Sequence, residues 1–102
     1  MTADDLVAAL ENEYDPEDGF IGRVRYGRFD ESQLARLMSL LARCPSMDGE
    51  SPDPRLVKLV WYMPWIVEWQ AQRLTEEGEN SDRLQRAWDQ IFREVERILG
   101  VP

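Results

Sequence analysis

Residues 54–69 read PRLVKLVWYMPWIVEW, and how this stretch folds decides the architecture of the whole chain. Asp53 precedes it as a good N-cap, and Pro54 suits the first helical position, where a missing N–H leaves nothing unpaired. From Leu56 to Trp69 the apolar positions are Leu56, Val57, Leu59, Val60, Trp61, Tyr62, Met63, Trp65, Ile66, Val67 and Trp69. They surround the helix, and a helix apolar on every side is expected to be buried on every side. Pro64 lies inside it. Pro64 removes a hydrogen bond to residue 60, so the helix is kinked there or is two helices meeting at Tyr62–Pro64. Gly78 is the expected C-cap. Trp61, Trp65 and Trp69 stand at i, i+4 and i+8 on one face. They are expected in the core against Trp88 and Phe92, the alternative being a stacking platform for bases or sugars.

Three further helices surround this centre. The first covers about residues 3–13, with Thr2 as N-cap, Asp4 and Asp5 favoured by the helix dipole, and Leu6, Val7, Leu10 and Tyr14 as its stripe. Pro16 stops it. The second begins at Asp30, with Gln33 three residues on, and turns Leu34, Leu37, Met38, Leu41 and Cys44 inward until Pro45. Residues 46–54 form a polar, turn-rich loop. The last runs from Ser81 to about Leu99. Its stripe of Leu84, Ala87, Trp88, Ile91, Phe92, Val95, Ile98 and Leu99 follows the amphipathic template, and Asp89 and Arg93 make an i, i+4 pair on the outer face.

Between the first and second helices, residues 16–29 (PEDGFIGRVRYGRF) break the helical pattern. Gly19, Gly22 and Gly27, with Arg and apolar residues alternating, predict a structured loop or small hairpin. The expectation is therefore an all-α chain: one compact four-helix bundle-like domain over residues 1–102, with a kinked central helix and this loop or hairpin after helix 1.

The composition excludes several chemistries. The chain has 102 residues, 43% of them apolar, with four Trp, one Cys and no His. Without His there is no His-based nucleophilic relay and no His-ligated haem, and one Cys supplies no ordinary zinc site. Cys44 cannot form an intrachain disulfide and reads as a buried structural thiol. No phosphate-cradling glycine loop or nucleophile setting is present. The acidic loops fail the EF-hand spacing: with Gly19 at the sixth position Tyr14 falls first and Pro16 third, and with Gly49 there Cys44 falls first. These readings predict no catalytic residue, no metal, no cofactor and no enzyme. The acidic N-terminus lacks the form of a signal peptide, and no apolar run approaches the ~20 residues of a membrane span, so a cytoplasmic location without membrane contact is expected.

Charge carries most of the remaining information. Acids outnumber bases 20 to 12, a net charge of −8. Residues 1–18 hold seven acids and no base, whereas residues 19–29 hold Arg23, Arg25 and Arg28 and no acid. These arginines are expected to pair with the acids just upstream or with helix carboxylates; the other reading is a small nucleic-acid surface with Phe20, Tyr26 and Phe29. Overall the field repels phosphate backbones and attracts a basic partner.

Glu11, Glu13, Tyr14, Asp15, Glu17, Asp18 and Phe20 interleave acids with aromatics. With the chain's length, helical core and acidity, this make-up resembles that of small bacterial immunity proteins, which neutralise a co-encoded toxin. The resemblance is one of type across the chain and rests on no motif. It implies a tight protein–protein inhibitor whose acidic face, made of these seven residues, meets the cleft of a basic toxin or nuclease. The alternatives are a DNA-mimicking phage inhibitor of a defence nuclease, a nucleic-acid module acting through the Arg segment, and a scaffold or homodimer formed through the apolar third helix.

Overall fold

The computed structural model describes residues 1–47 and 53–101, so Asp48, Gly49 and Glu50 of the expected 46–54 loop lie outside the described residues. Among those described are six α-helices and no strand: α1 (Ala3–Asn12), α2 (Phe20–Arg25), α3 (Glu31–Arg43), α4 (Pro54–Trp61), α5 (Met63–Glu76) and α6 (Asp82–Leu99). The chain is all-α and bundle-like. The helices are more numerous than the expected four because the central one is divided and residues 20–25 add another.

Local chemistry sets most helix ends. The Thr2 hydroxyl accepts from Asp5 N–H and the Asp5 carboxylate accepts from Thr2 N–H, a complete capping box. Asp30 accepts from Gln33 N–H and from the Ser32 hydroxyl, which holds its carboxyl below the usual aspartate range. Asp53 accepts from Arg55 N–H ahead of Pro54, and the Arg55 guanidinium beside it depresses its pKa as well. The end of α5 is closed by Gly78 at φ 78°, with Gly78 N–H on the Thr75 carbonyl and Glu79 N–H on the Leu74 carbonyl.

Pro64 resolves the central stretch into two helices. It falls in the first turn of α5, where its absent N–H costs nothing, and Tyr62 is the residue shared by the two ends. The inward face of α4 is Leu56 and Val60; that of α5 is Met63, Ile66, Val67 and Ala71. α5 packs along α6, whose inward stripe is Leu84, Ala87, Ile91, Val95 and Ile98. α3 adds Leu34, Leu37, Leu40 and Leu41, and Cys44 continues this face. The Cys44 thiol is buried, its pKa raised by desolvation, with Sγ 3.6 Å from the Leu40 carbonyl oxygen. The C-terminal ends of α3 and α6 are tied together, because Arg97 Nη2 donates to the Leu41 carbonyl at 2.8 Å and Met47 N–H to the Ile98 carbonyl at 2.9 Å.

The expected loop or hairpin after helix 1 is instead the helix α2. Phe20, Ile21 and Val24 recur at i, i+1 and i+4 and are all completely buried. Gly19 and Gly22 do not mark turns. They allow α2 to lie against the turn that follows α1: a Cβ on Gly22 would stand 2.1 Å from the Asp15 carbonyl oxygen, and one on Gly19 2.3 Å from that of Glu13. At this approach Gly22 N–H donates to the Glu13 carbonyl at 2.9 Å and Gly19 N–H to that of Asp15 at 3.0 Å. Close packing, not chain reversal, accounts for these two glycines.

Candidate protein interface

The acidic segment expected to meet a partner is divided by the fold. Glu13 is 1% exposed and Phe20 0%, so neither can contact a partner in this structure. Glu13 follows Leu6 and Leu10 on the buried side of α1 and works as an internal brace. Its Oε1 accepts from Phe20 N–H at 3.0 Å, the first residue of α2, and so serves a helix terminus that Gly19 cannot cap. Arg36 of α3 closes on the same carboxylate, Nε to Oε2 at 2.9 Å and Nη2 to Oε1 at 3.1 Å. Arg36 also donates to the Asp18 carbonyl, and the Glu13 hydrogen bond raises its pKa. One side chain thus joins α1, α2 and α3.

Tyr14 is half-buried, and its hydroxyl donates to the Leu59 carbonyl of α4; burial raises its pKa well above the ordinary value. Asp15 accepts from Glu17 N–H at 2.8 Å and Asp18 N–H at 2.9 Å, and these bonds lower its pKa. Glu11, Glu17 and Asp18 remain exposed. The Arg segment does not pair with these acids as expected: among the described residues Arg23, Arg25 and Arg28 form no ion pair. Arg23 reaches the Glu17 carbonyl at 3.4 Å, and the Arg25 guanidinium lies 6.0 Å from the centre of the Tyr14 ring. α2 packs on α5 and α3, and among the described residues its arginines meet no carboxylate partner there.

The larger correction concerns the tryptophans. Trp61 and Trp65 are 47% exposed and Trp69 51%; they are not core residues. Because Met63, Ile66, Val67 and Ala71 occupy the inward face of α5, the helical period carries Trp65 and Trp69 to the opposite side. The rings form a continuous array. Trp61 meets Tyr62 edge-on at 5.4 Å between centroids, Tyr62 meets Trp69 at 5.8 Å, and Trp69 lies 6.5 Å from Trp65. On α6, half-buried Trp88 stacks on Phe92 at 4.9 Å and 11°, and Phe92 is itself exposed. The helical spacing of the α5 core positions 63, 66, 67 and 71 already contained this signal, which overall hydrophobicity concealed.

Beside the array, a groove of about 560 Å³ runs between α5 and α6. Ala71 and Trp88 give it apolar walls, and Glu68, Glu76 and Asp89 bring carboxylates to it. No Lys or Arg lines it among the described residues. A second, smaller hollow at the other end of the array is framed by Tyr14, Lys58, Leu59, Trp61 and Tyr62. Among the described residues no three His, Cys, Asp or Glu side chains are placed to hold a metal ion, and no helix is long and apolar enough to cross a membrane. No family model, curated protein or solved structure matches the chain.

Proposed function

We propose that this chain is a protein-binding inhibitor of the toxin-neutralising kind, acting on a basic protein through the aromatic face of α4 and α5. The observation that carries this reading is the array of Trp61, Tyr62, Trp65 and Trp69, with each Trp about half exposed. A tryptophan offers 150–250 Å² of surface, so the three leave roughly 300 Å² of contiguous aromatic area in water. A patch of that size is at the scale of functional patches on soluble proteins, and Trp and Tyr are the residues on which binding energy concentrates. The net charge of −8 complements it by drawing a basic partner at long range. In this arrangement exposed Glu11, Glu17 and Asp18 steer, and the aromatic rings hold.

The test is affinity capture from host lysate at low salt, with a salt step and mass spectrometry, using the wild type and a Trp65→Ala/Trp69→Ala variant. The wild type is expected to retain one basic protein in near-equal amount, and the folded variant to lose it. Neutralising Glu11, Glu17 and Asp18 is expected to slow association and leave the captured species unchanged. Equal capture by the Trp variant, or recovery of nucleic acid alone, refutes the proposal. The aromatic face also suits a second copy of the chain. Sedimentation of the purified protein tests that reading: a dimer that the Trp substitutions dissolve would replace the inhibitor.

A further inference from the structure

Resting on that protein-binding reading, we infer that the groove between α5 and α6 receives a basic amphipathic segment of the partner, an apolar side chain flanked by arginine or lysine. The groove has the two properties such a segment needs. Its walls include an apolar surface, Ala71 and the indole of Trp88, and Trp88 is held in place by stacking on Phe92 at 4.9 Å. Its rim carries Glu68 and Glu76 from one helix and Asp89 from the other, so the acids face the space from both sides. Neither Glu68 nor Glu76 forms an ion pair among the described residues, and Asp89 pairs with Arg93 at 3.1 Å while remaining half exposed.

Charge decides the occupant. An anionic segment would meet three carboxylates and no lining cation, and an entirely apolar one would leave them without partners while removing water from them. A cationic side chain gains from the carboxylates, while an apolar neighbour gains from Ala71 and the indole of Trp88. Length fits as well. Glu68 and Glu76 lie eight residues apart on α5, about 12 Å along the axis. Two cations about two turns apart on an amphipathic helix span that distance, with an apolar anchor between them directed at Ala71 and Trp88. Glu68 follows Trp65 by three residues and Gln72 follows Trp69 by three, so the groove adjoins the aromatic array on the same exposed side of α5. A partner seated on the rings would reach it.

The experiment uses the isolated, isotope-labelled protein and two synthetic helical peptides, one of Leu and Arg in amphipathic order and one with every Arg replaced by Glu. Amide shifts on titration with the basic peptide are expected to cluster at residues 68–76 and 85–89, and the acidic peptide is expected to produce none. A Glu68→Gln/Glu76→Gln variant is expected to bind the basic peptide about tenfold more weakly, and raising salt to weaken binding by the wild type but much less by the variant. The inference is overturned by shifts centred on residues 61–65, by equal response to both peptides, or by no response. Because no native partner is used, such a result leaves the broader proposal standing if the Trp65→Ala/Trp69→Ala variant still loses the captured protein. Failure of that capture experiment, in turn, does not move the peptide shifts.

Discussion

Replacing Gly22 with alanine sets two physical effects against each other. Helix propensity favours Ala over Gly in a helix interior by about 1 kcal/mol, so local reasoning expects a more stable protein. Packing predicts the reverse. The added Cβ would sit 2.1 Å from the Asp15 carbonyl oxygen and 2.3 Å from its carbon, both main-chain atoms that cannot rotate aside. The two backbones must separate by about 1 Å in an interior packed at crystalline density. Overpacking of that kind costs about 1–3 kcal/mol. The movement also strains the Gly22 N–H bond to the Glu13 carbonyl and the Phe20 N–H bond to the Glu13 carboxylate, each worth about 1 kcal/mol. After the propensity gain is subtracted, the net loss is about 2–4 kcal/mol, which for a domain of this size lowers Tm by roughly 10–25 °C. Thermal and urea unfolding followed by far-ultraviolet circular dichroism measure it. Gly78→Ala is the control: it meets no atom within 4 Å and bears only the strain of φ 78°, about 1 kcal/mol. A Gly22→Ala variant at least as stable as the wild type would refute the close-packing account of α2.

Three other outcomes follow from the same structure. Glu13→Ala should destabilise the fold by about 3 kcal/mol in urea denaturation, since it strips a helix terminus and a two-pronged arginine of their acceptor; Glu13→Gln, which keeps an acceptor for Phe20, should cost less, and Glu11→Ala almost nothing. Asp15, Asp30 and Asp53 all have carboxyls held below the usual 3.8, so their contribution is present above that value and fades as pH falls through the lower, folded-state values; the urea midpoint should drop on acidification below about pH 4, and Asp30→Asn should flatten the drop. Cys44 should resist a thiol reagent in native buffer and react stoichiometrically in denaturant, because its thiol is both buried and raised in pKa; rapid native labelling would contradict its place in the core.

How far the residues announce the fold depends on whether their effect is local. Thr2 with Asp5, Asp53 with Pro54, and Gly78 act within one turn, and each stands where its chemistry predicts. The stripe from Leu84 to Ile98 is equally readable, since an amphipathic helix needs only one apolar side. Long-range effects leave no such local mark. Gly19 and Gly22 look like turn residues until the main chain of Asn12–Asp15 is placed against them. Glu13 differs from Glu11 only in phase: it continues the Leu6–Leu10 side of α1, and its role depends on Arg36, 23 residues away. For the interface, the residues around Trp65 and Trp69 are so apolar that composition suggests burial, and only the register of Met63, Ile66, Val67 and Ala71 shows which way the indoles point.

That register has a spectroscopic consequence. Three of the four indoles emit from the surface and the fourth, Trp88, borders the groove. Native fluorescence therefore reports the aromatic face of α4 and α5 far more than the interior. Denaturation should change the emission colour little for a protein with four tryptophans, whereas a seated partner, by excluding water from those rings, should shift it strongly to the blue. The usual roles of the signal are exchanged: a poor gauge of unfolding, it becomes a built-in sensor of occupancy that needs no label.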